Sequence, residues 1–134
     1  LIGDNGSGFG LNNVEAICTF GTTTKLDDSE SIGYKGIGFV SVYELTNRPE
    51  IHTHHGIAFG FDLVEAEARD LSPMQLPKVL GDQTEDSGPI SHLQSAGART
   101  VVRLPFTEPA LAQATYESIS DLIRRNSVTH CVLP

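Results

Sequence analysis

The sequence predicts an α/β fold, and three stretches carry that prediction. Residues 50–55 and 57–63 alternate in polarity and meet at His55-Gly56, the pattern of a β-hairpin. Residues 99–106, Arg-Thr-Val-Val-Arg-Leu-Pro-Phe, read as a strand rich in β-branched side chains. Residues 108–125 set Leu111, Ala114, Ile119, Leu122 and Ile123 on one face of a helix.

The other elements follow in chain order. Leu1 and Ile2 read as the end of a buried strand, and Asp4-Asn5-Gly6 is a turn signal. Leu11, Val14, Ile17 and Cys18 have helical spacing; Asn12 or Asn13 caps that helix and Gly21 ends it. Residues 22–31 are polar, with Asp27, Asp28 and Glu30, and join two glycine-rich loops. A second helix runs from Phe39 to Thr46 and stops at Asn47-Arg48-Pro49. Within the hairpin, Ile57, Phe59 and Phe61 share a face by the period of two. His52 and His54 share a face as well. No cysteine, third histidine or carboxylate follows them at ligand spacing, so no metal is expected. Residues 65–97 read as an irregular, solvated insertion, with Pro73, Pro77, Pro89, Gly81, Gly88, Gly97 and acidic Asp82, Glu85 and Asp86. His130–Leu133 reads as a last strand.

The 134 residues suffice for one domain with one core. A hydrophobic content of 39% against 19% charged places the chain among globular rather than disordered sequences. The net charge of −8 argues against nucleic acid or an anionic membrane as partner. It leaves a nucleotide open, because main-chain N–H groups hold phosphate without net basic charge. No apolar run approaches the roughly 20 residues of a membrane span, and no signal peptide is visible. Cys18 and Cys131 read as thiols of a reducing compartment, with a disulfide left open, and the expected location is cytoplasmic. The chain opens on Leu1 inside a strand and Met74 is its only methionine, so it reads as a piece of a longer protein.

Two boxes bear on function. Gly33-Tyr34-Lys35-Gly36-Ile37-Gly38-Phe39 carries three glycines within six residues just before a helix. Glycine lets main chain approach a ligand, and a helix start offers unpaired N–H groups to phosphate. The same stretch is also readable as a tight loop before a buried helix. It matches neither the Walker loop G-x-x-x-x-G-K-[ST] nor the dinucleotide fingerprint G-x-G-x-x-G, which weighs against a Rossmann-type oxidoreductase. The other box opens the chain. Asp4 stands at a strand end, where a buried carboxylate accepts from an exocyclic amine and so reads adenine; the alternative is a surface Asp-Asn-Gly turn.

Taken together, D-N-G-x-G at Asp4–Gly8 and G-x-x-G-x-G-F at Gly33–Phe39 resemble the ATP-binding domain shared by gyrase, histidine kinases, heat-shock chaperones and mismatch-repair proteins, the GHKL superfamily. The sacsin-like branch is the nearer match, through Ile32–Phe39, Ser41-Val42-Tyr43 and the lid-like Gly21-Thr22-Thr23-Thr24-Lys25. The resemblance runs from Asp4 to about Phe106. It implies a two-layer sandwich, a mixed but mainly antiparallel sheet with helices on one face (the Bergerat-type fold), incomplete at its N-terminus. It implies that Asp4 and Thr100 contact adenine and that Gly6 and Gly8 approach base and sugar. It further implies that Gly33, Gly36, Ile37, Gly38 and the N–H of Phe39 cradle phosphates. Lys25 meets the terminal phosphate or solvent; Lys35 is a phosphate-facing cation or a solvated side chain. Residues 10–32 form a lid.

Two positions depart from the family. Val40 stands where a lysine is frequent, and Ala98-Arg99 separates Gly97 from Thr100 where a Gly-Thr pair is usual. In the superfamily the water-orienting glutamate and magnesium-binding asparagine lie on a helix before the D-N-G-x-G box. No catalytic residue is therefore expected in this chain, and ATP with Mg²⁺ is expected of the intact protein, with its other domains as partners. The alternative is a scaffold or interaction domain that keeps the fold without nucleotide.

Overall fold

Short runs of alternating polarity, each too brief to stand alone, join into one five-stranded sheet. The computed structural model describes residues 1–19, 37–81 and 87–125. In chain order the elements are β1 (Ile2–Asp4), α1 (Leu11–Thr19), α2 (Ile37–Val40) running into a 3₁₀ turn at Ser41–Glu44, β2 (Glu50–Thr53) and β3 (Ala58–Gly60). They continue with α3 (Leu63–Ala68), a 3₁₀ turn at Pro73–Gln75, β4 (Lys78–Val79), α4 (Ser87–Ser95), β5 (Thr100–Arg103) and α5 (Pro109–Arg125). The sheet order is β1-β5-β2-β3-β4. Where a mixed sheet was expected, every pairing among the described strands is antiparallel. The expected final strand at 130–133 and Cys131 lie outside the described residues.

Register assigns the two faces. Ile2, Val102, Ile51 and Phe59 stand opposite one another across β1, β5, β2 and β3, so they share a face. Ile51, Phe59, Phe61 and Met74 form the buried core there, and Val14, Ile17 and Cys18 of α1 with Phe39 of α2 pack against it. Burying each such large side chain contributes about 1.5–3 kcal/mol. The opposite face carries Gly3, Val101, His52 and Ala58 in one row. There α4 approaches the sheet closely: a Cβ at Gly3 would stand 3.1 Å from Ala98 Cβ and 3.7 Å from Leu93 Cδ2. Helices therefore lie on both faces, and the expectation of a single helical layer is corrected.

Turn and cap chemistry sets the element ends. The β2–β3 turn closes with Thr53 N–H donating to Ile57 O at 2.8 Å and Gly56 N–H donating to Thr53 O at 3.2 Å. Gly56 adopts φ +79°, the left-handed position that a three-residue hairpin loop requires. Gly10 precedes α1, and its N–H donates to Asn13 Oδ1 at 2.9 Å, so Asn13 acts from inside the first turn. Asp62 caps α3 by accepting from Glu65 N–H. At the other end, Leu71 N–H donates to Ala66 O and Asp70 N–H to Glu67 O, a Schellman ending with Asp70 at φ 55°. Asp70→Gly relieves that left-handed strain and is expected to raise stability by about 0.5–1 kcal/mol in urea denaturation.

Asp82, Glu85 and Asp86 lie outside the described residues, but in the rest of the expected insertion, residues 65–81 and 87–97 are more regular than their prolines and glycines suggest, with most of their side chains exposed. They hold most of α3, β4 and α4, and Ala66, Met74 and Ile90 are buried. Asp62 and Glu65 bind Arg48, Arg69 and Lys78 around β4. Hydrogen bonding to Lys78 holds the Glu65 carboxyl below its usual range. A depressed carboxylate stabilises the fold above its unfolded pKa, and that contribution fades as acid protonates it. In α5, Leu111 is half-buried while Tyr116, Ile119 and Leu122 are exposed among the described residues; the Ile123 side chain lies outside them. Among the described residues no helix is long and apolar enough to cross a membrane.

Candidate functional site

The end of β1 is where the sequence places its first box. Antiparallel register sets Asp4 directly across from Thr100 of β5, and Thr100 across from Thr53 of β2. These three polar residues form a row on the same sheet face as the core. Thr100 and Thr53 are buried at 7% and 3% exposure. Asp4 is exposed, as the surface Asp-Asn-Gly alternative has it and not as a buried carboxylate. Its Oδ1 accepts from Gly6 N–H at 3.1 Å in an Asx turn, and its carbonyl accepts from Arg99 N–H at 2.7 Å. Oδ2 has no partner among the described residues.

Gly8 follows with φ +87°, open to glycine and costly for other residues. A Cβ there would stand 2.7 Å from His54 Cε1 and 3.6 Å from Arg99 Cβ, so the turn lies against the β2–β3 tip. Phe9 leaves the turn and meets Phe59 at 5.9 Å between ring centroids. Phe59 meets Phe61 at 5.8 Å, edge to face, and Phe61 meets Phe39 of α2 at 6.1 Å in the same manner. Phe9 and Phe39 each come directly after a box glycine, Gly8 and Gly38. Phe9, which follows the first box, and Phe39, which ends the second, thus stand on one aromatic pair. Ile37 and Gly38 open α2. Lys25, Gly33, Lys35, Gly36 and most of the expected lid lie outside the described residues; its residues 11–19 are α1, whose inner side packs on the core.

Tyr43, on the 3₁₀ turn after α2, packs on the same core with its hydroxyl buried and without a hydrogen-bond partner among the described residues. Burial pushes its pKa up to about 12, so the group stays neutral. Burial also raises the Cys18 thiol. Tyr43→Phe removes an unsatisfied polar atom and is expected to raise stability by about 1 kcal/mol, read from the urea midpoint at unchanged slope.

On the other face, Glu50 stands opposite Arg103 in the ladder and two residues before His52. Its carboxylate takes both partners, Arg103 Nη1 at 2.7 Å and His52 Nε2 at 3.0 Å, with all three side chains largely buried. His54 instead turns Nδ1 toward Arg99 O. The two histidines are committed to different neighbours. Among the described residues no group of three or more His, Cys, Asp or Glu side chains is placed to hold a metal ion. A cavity of about 230 Å³ lies beside His52, Ile90, Ser91 and Gln94, and a shallower hollow of about 390 Å³ beside Gly3, Asn5 and Leu93. Asp4, Gly6, Gly8 and Thr100 line neither.

Sequence reasoning named Asp4 and Thr100 together, and the ladder sets them opposite each other; it gave no part in this arrangement to Phe9, Thr53, His54 or the Arg99 main chain. Phe9 carried a legible signal, since a Gly-Phe step ends the second box and another follows directly from the last glycine of the first. His54 carried none, because its role depends on a contact between residues 46 positions apart.

No protein-family model matches the chain, and no solved structure matches it. Over 105 residues, 77% of the chain, the sequence is 37% identical to Protein NO VEIN of Arabidopsis thaliana. That stretch is 4% of the plant protein, so the chain spans a small part of the curated relative it matches.

Proposed function

We propose that this chain is the nucleotide-holding part of a GHKL-type ATP-binding domain, of the sacsin-like branch, within a longer cytoplasmic protein. The observation that carries the reading is the shared footing of the two boxes: Phe9 and Phe39 pack on the adjacent rings of Phe59 and Phe61. In this reading two loops that leave from adjacent rings hold opposite ends of one ligand. The Asp4 row fits the adenine end. The unpartnered Oδ2 accepts from an exocyclic amine, and Thr100 stands directly across the ladder. Gly6 and Gly8 let main chain come close to base and sugar. Gly33, Gly36, Gly38 and the Phe39 N–H serve the phosphates, with Lys25 and Lys35 as the nearby cations in sequence.

Nothing in the described residues acts as general base here. Mg²⁺ would neutralise phosphate charge, held by groups of the intact protein, and hydrolysis, where it occurs, would be slow. ATP binding then closes residues 10–32 over the ligand and switches neighbouring domains. A scaffold role without nucleotide is the second reading, favoured by one observation: Asp4 is exposed at the strand end and not buried. Isothermal titration of the full-length protein with ATP and Mg²⁺ separates them. Saturable binding is expected; no heat of binding at millimolar ATP overturns the nucleotide reading.

A further inference from the structure

We infer that His54, at the β2–β3 turn, is a positioning residue that holds the Asp4–Gly8 turn in its binding shape; this rests on the nucleotide reading above. The turn is not free-standing. Gly8 lies flat against the imidazole: a Cβ at residue 8 would fall 2.7 Å from Cε1 and 3.1 Å from Nδ1 of His54. That ring is fixed in turn. Its Nδ1 lies 3.2 Å from the Arg99 carbonyl, which only accepts, so Nδ1 carries the proton and donates. The His54 N–H donates to the same carbonyl at 2.9 Å. On the ring's other contact, His55 sits at 3.7 Å between centroids.

The Arg99 peptide then links the hairpin tip to the box. Its neighbouring N–H donates to the Asp4 carbonyl at 2.7 Å, and Asp4 Oδ1 holds Gly6 N–H. The His54 ring therefore reaches both ends of the D-N-G-x-G turn, Asp4 through the Arg99 main chain and Gly8 by direct contact. A histidine from a different hairpin, 46 residues away in sequence, sets the height at which Gly8 passes over the sheet end. Gly8 is restricted to glycine by two separable causes, its positive φ and the ring beneath it. Removing the ring removes only the second.

The test is a cycle of variants in the full-length protein, read by ATP affinity and by thermal unfolding. His54→Ala is expected to weaken ATP binding about five- to tenfold while the melting temperature falls by less than about 2 °C. His54→Asn keeps a donor near the Nδ1 position and is expected to restore most of the affinity. Gly8→Ala also weakens binding, and Gly8→Ala with His54→Ala is expected to be no weaker than Gly8→Ala alone, because the clash is gone. Unchanged affinity in His54→Ala, no rescue by asparagine, or losses that multiply in the double variant would each overturn the inference while wild-type binding stands. Wild-type protein that binds no ATP overturns the nucleotide reading itself, and this role with it.

Discussion

Replacing Asp4 by asparagine is expected to weaken ATP binding by the full-length protein about thirtyfold, with little change in stability. The reasoning is local. Oδ1 is already engaged as the acceptor for Gly6 N–H, and asparagine keeps that bond by placing its own oxygen there. Its NH₂ group then replaces Oδ2, the atom without a partner. A donor now faces the exocyclic amine of adenine, itself a donor, and a charge-assisted hydrogen bond becomes a repulsive pair. Thirtyfold corresponds to about 2 kcal/mol, the scale of one hydrogen bond to a charged group. Titration calorimetry reads the affinity, and a urea midpoint within error of wild type confirms that the turn survived. Equal affinity for the two proteins would remove Asp4 from the adenine site and favour the scaffold reading.

The second large effect concerns the fold. Phe59→Ala is expected to cost about 3–5 kcal/mol, measured by urea denaturation. Phe59 is 3% exposed, stands opposite Ile51 in the ladder, and touches both Phe9 and Phe61. Its removal opens a cavity that these neighbours cannot all collapse into, because Ile51 is held in β2, Phe9 follows the turn after β1 and Phe61 follows β3. Against a total stability of about 5–15 kcal/mol for an ordinary domain, such a loss leaves a large unfolded fraction. Phe59→Leu, which fills much of the space, is expected to lose about half as much. A loss under about 1 kcal/mol for the alanine variant would show that the aromatic cluster does not support the domain.

The elements that were legible from sequence are those whose signal is local. The hairpin declared itself because Gly56 lies between two alternating runs, and Thr100–Arg103 because β-branched residues crowd it. The α1 face was legible from Val14, Ile17 and Cys18. What escaped depends on distant pairing. Nothing in residues 1–10 says that β1 lies beside β5, almost a hundred residues later, yet that pairing is what sets Asp4 across from Thr100. In the described residues 65–81 and 87–97, punctuation was taken for irregularity. Pro73 opens a 3₁₀ turn, Pro89 sits in the first turn of α4 where no intrahelical donor is lost, and Gly97 follows α4 at φ +104°. All three are helix-end signals. The segment's core residues, Ala66, Met74 and Ile90, are isolated in sequence and show no periodic stripe. The Asp4 carboxylate lies outside, as the surface-turn alternative has it, since a strand end beside an Asx turn faces solvent.

The Phe9–Phe59–Phe61–Phe39 contacts also make the interior readable by its clockwork. A phenylalanine ring turns over only when its neighbours momentarily make room, and in a close-packed interior that room is scarce. Phe59 and Phe61 sit between the roots of both boxes, so their ring-flip rates, seen in aromatic NMR line shapes, time the loosening of either one. A ligand gripping both boxes would slow the two rings together.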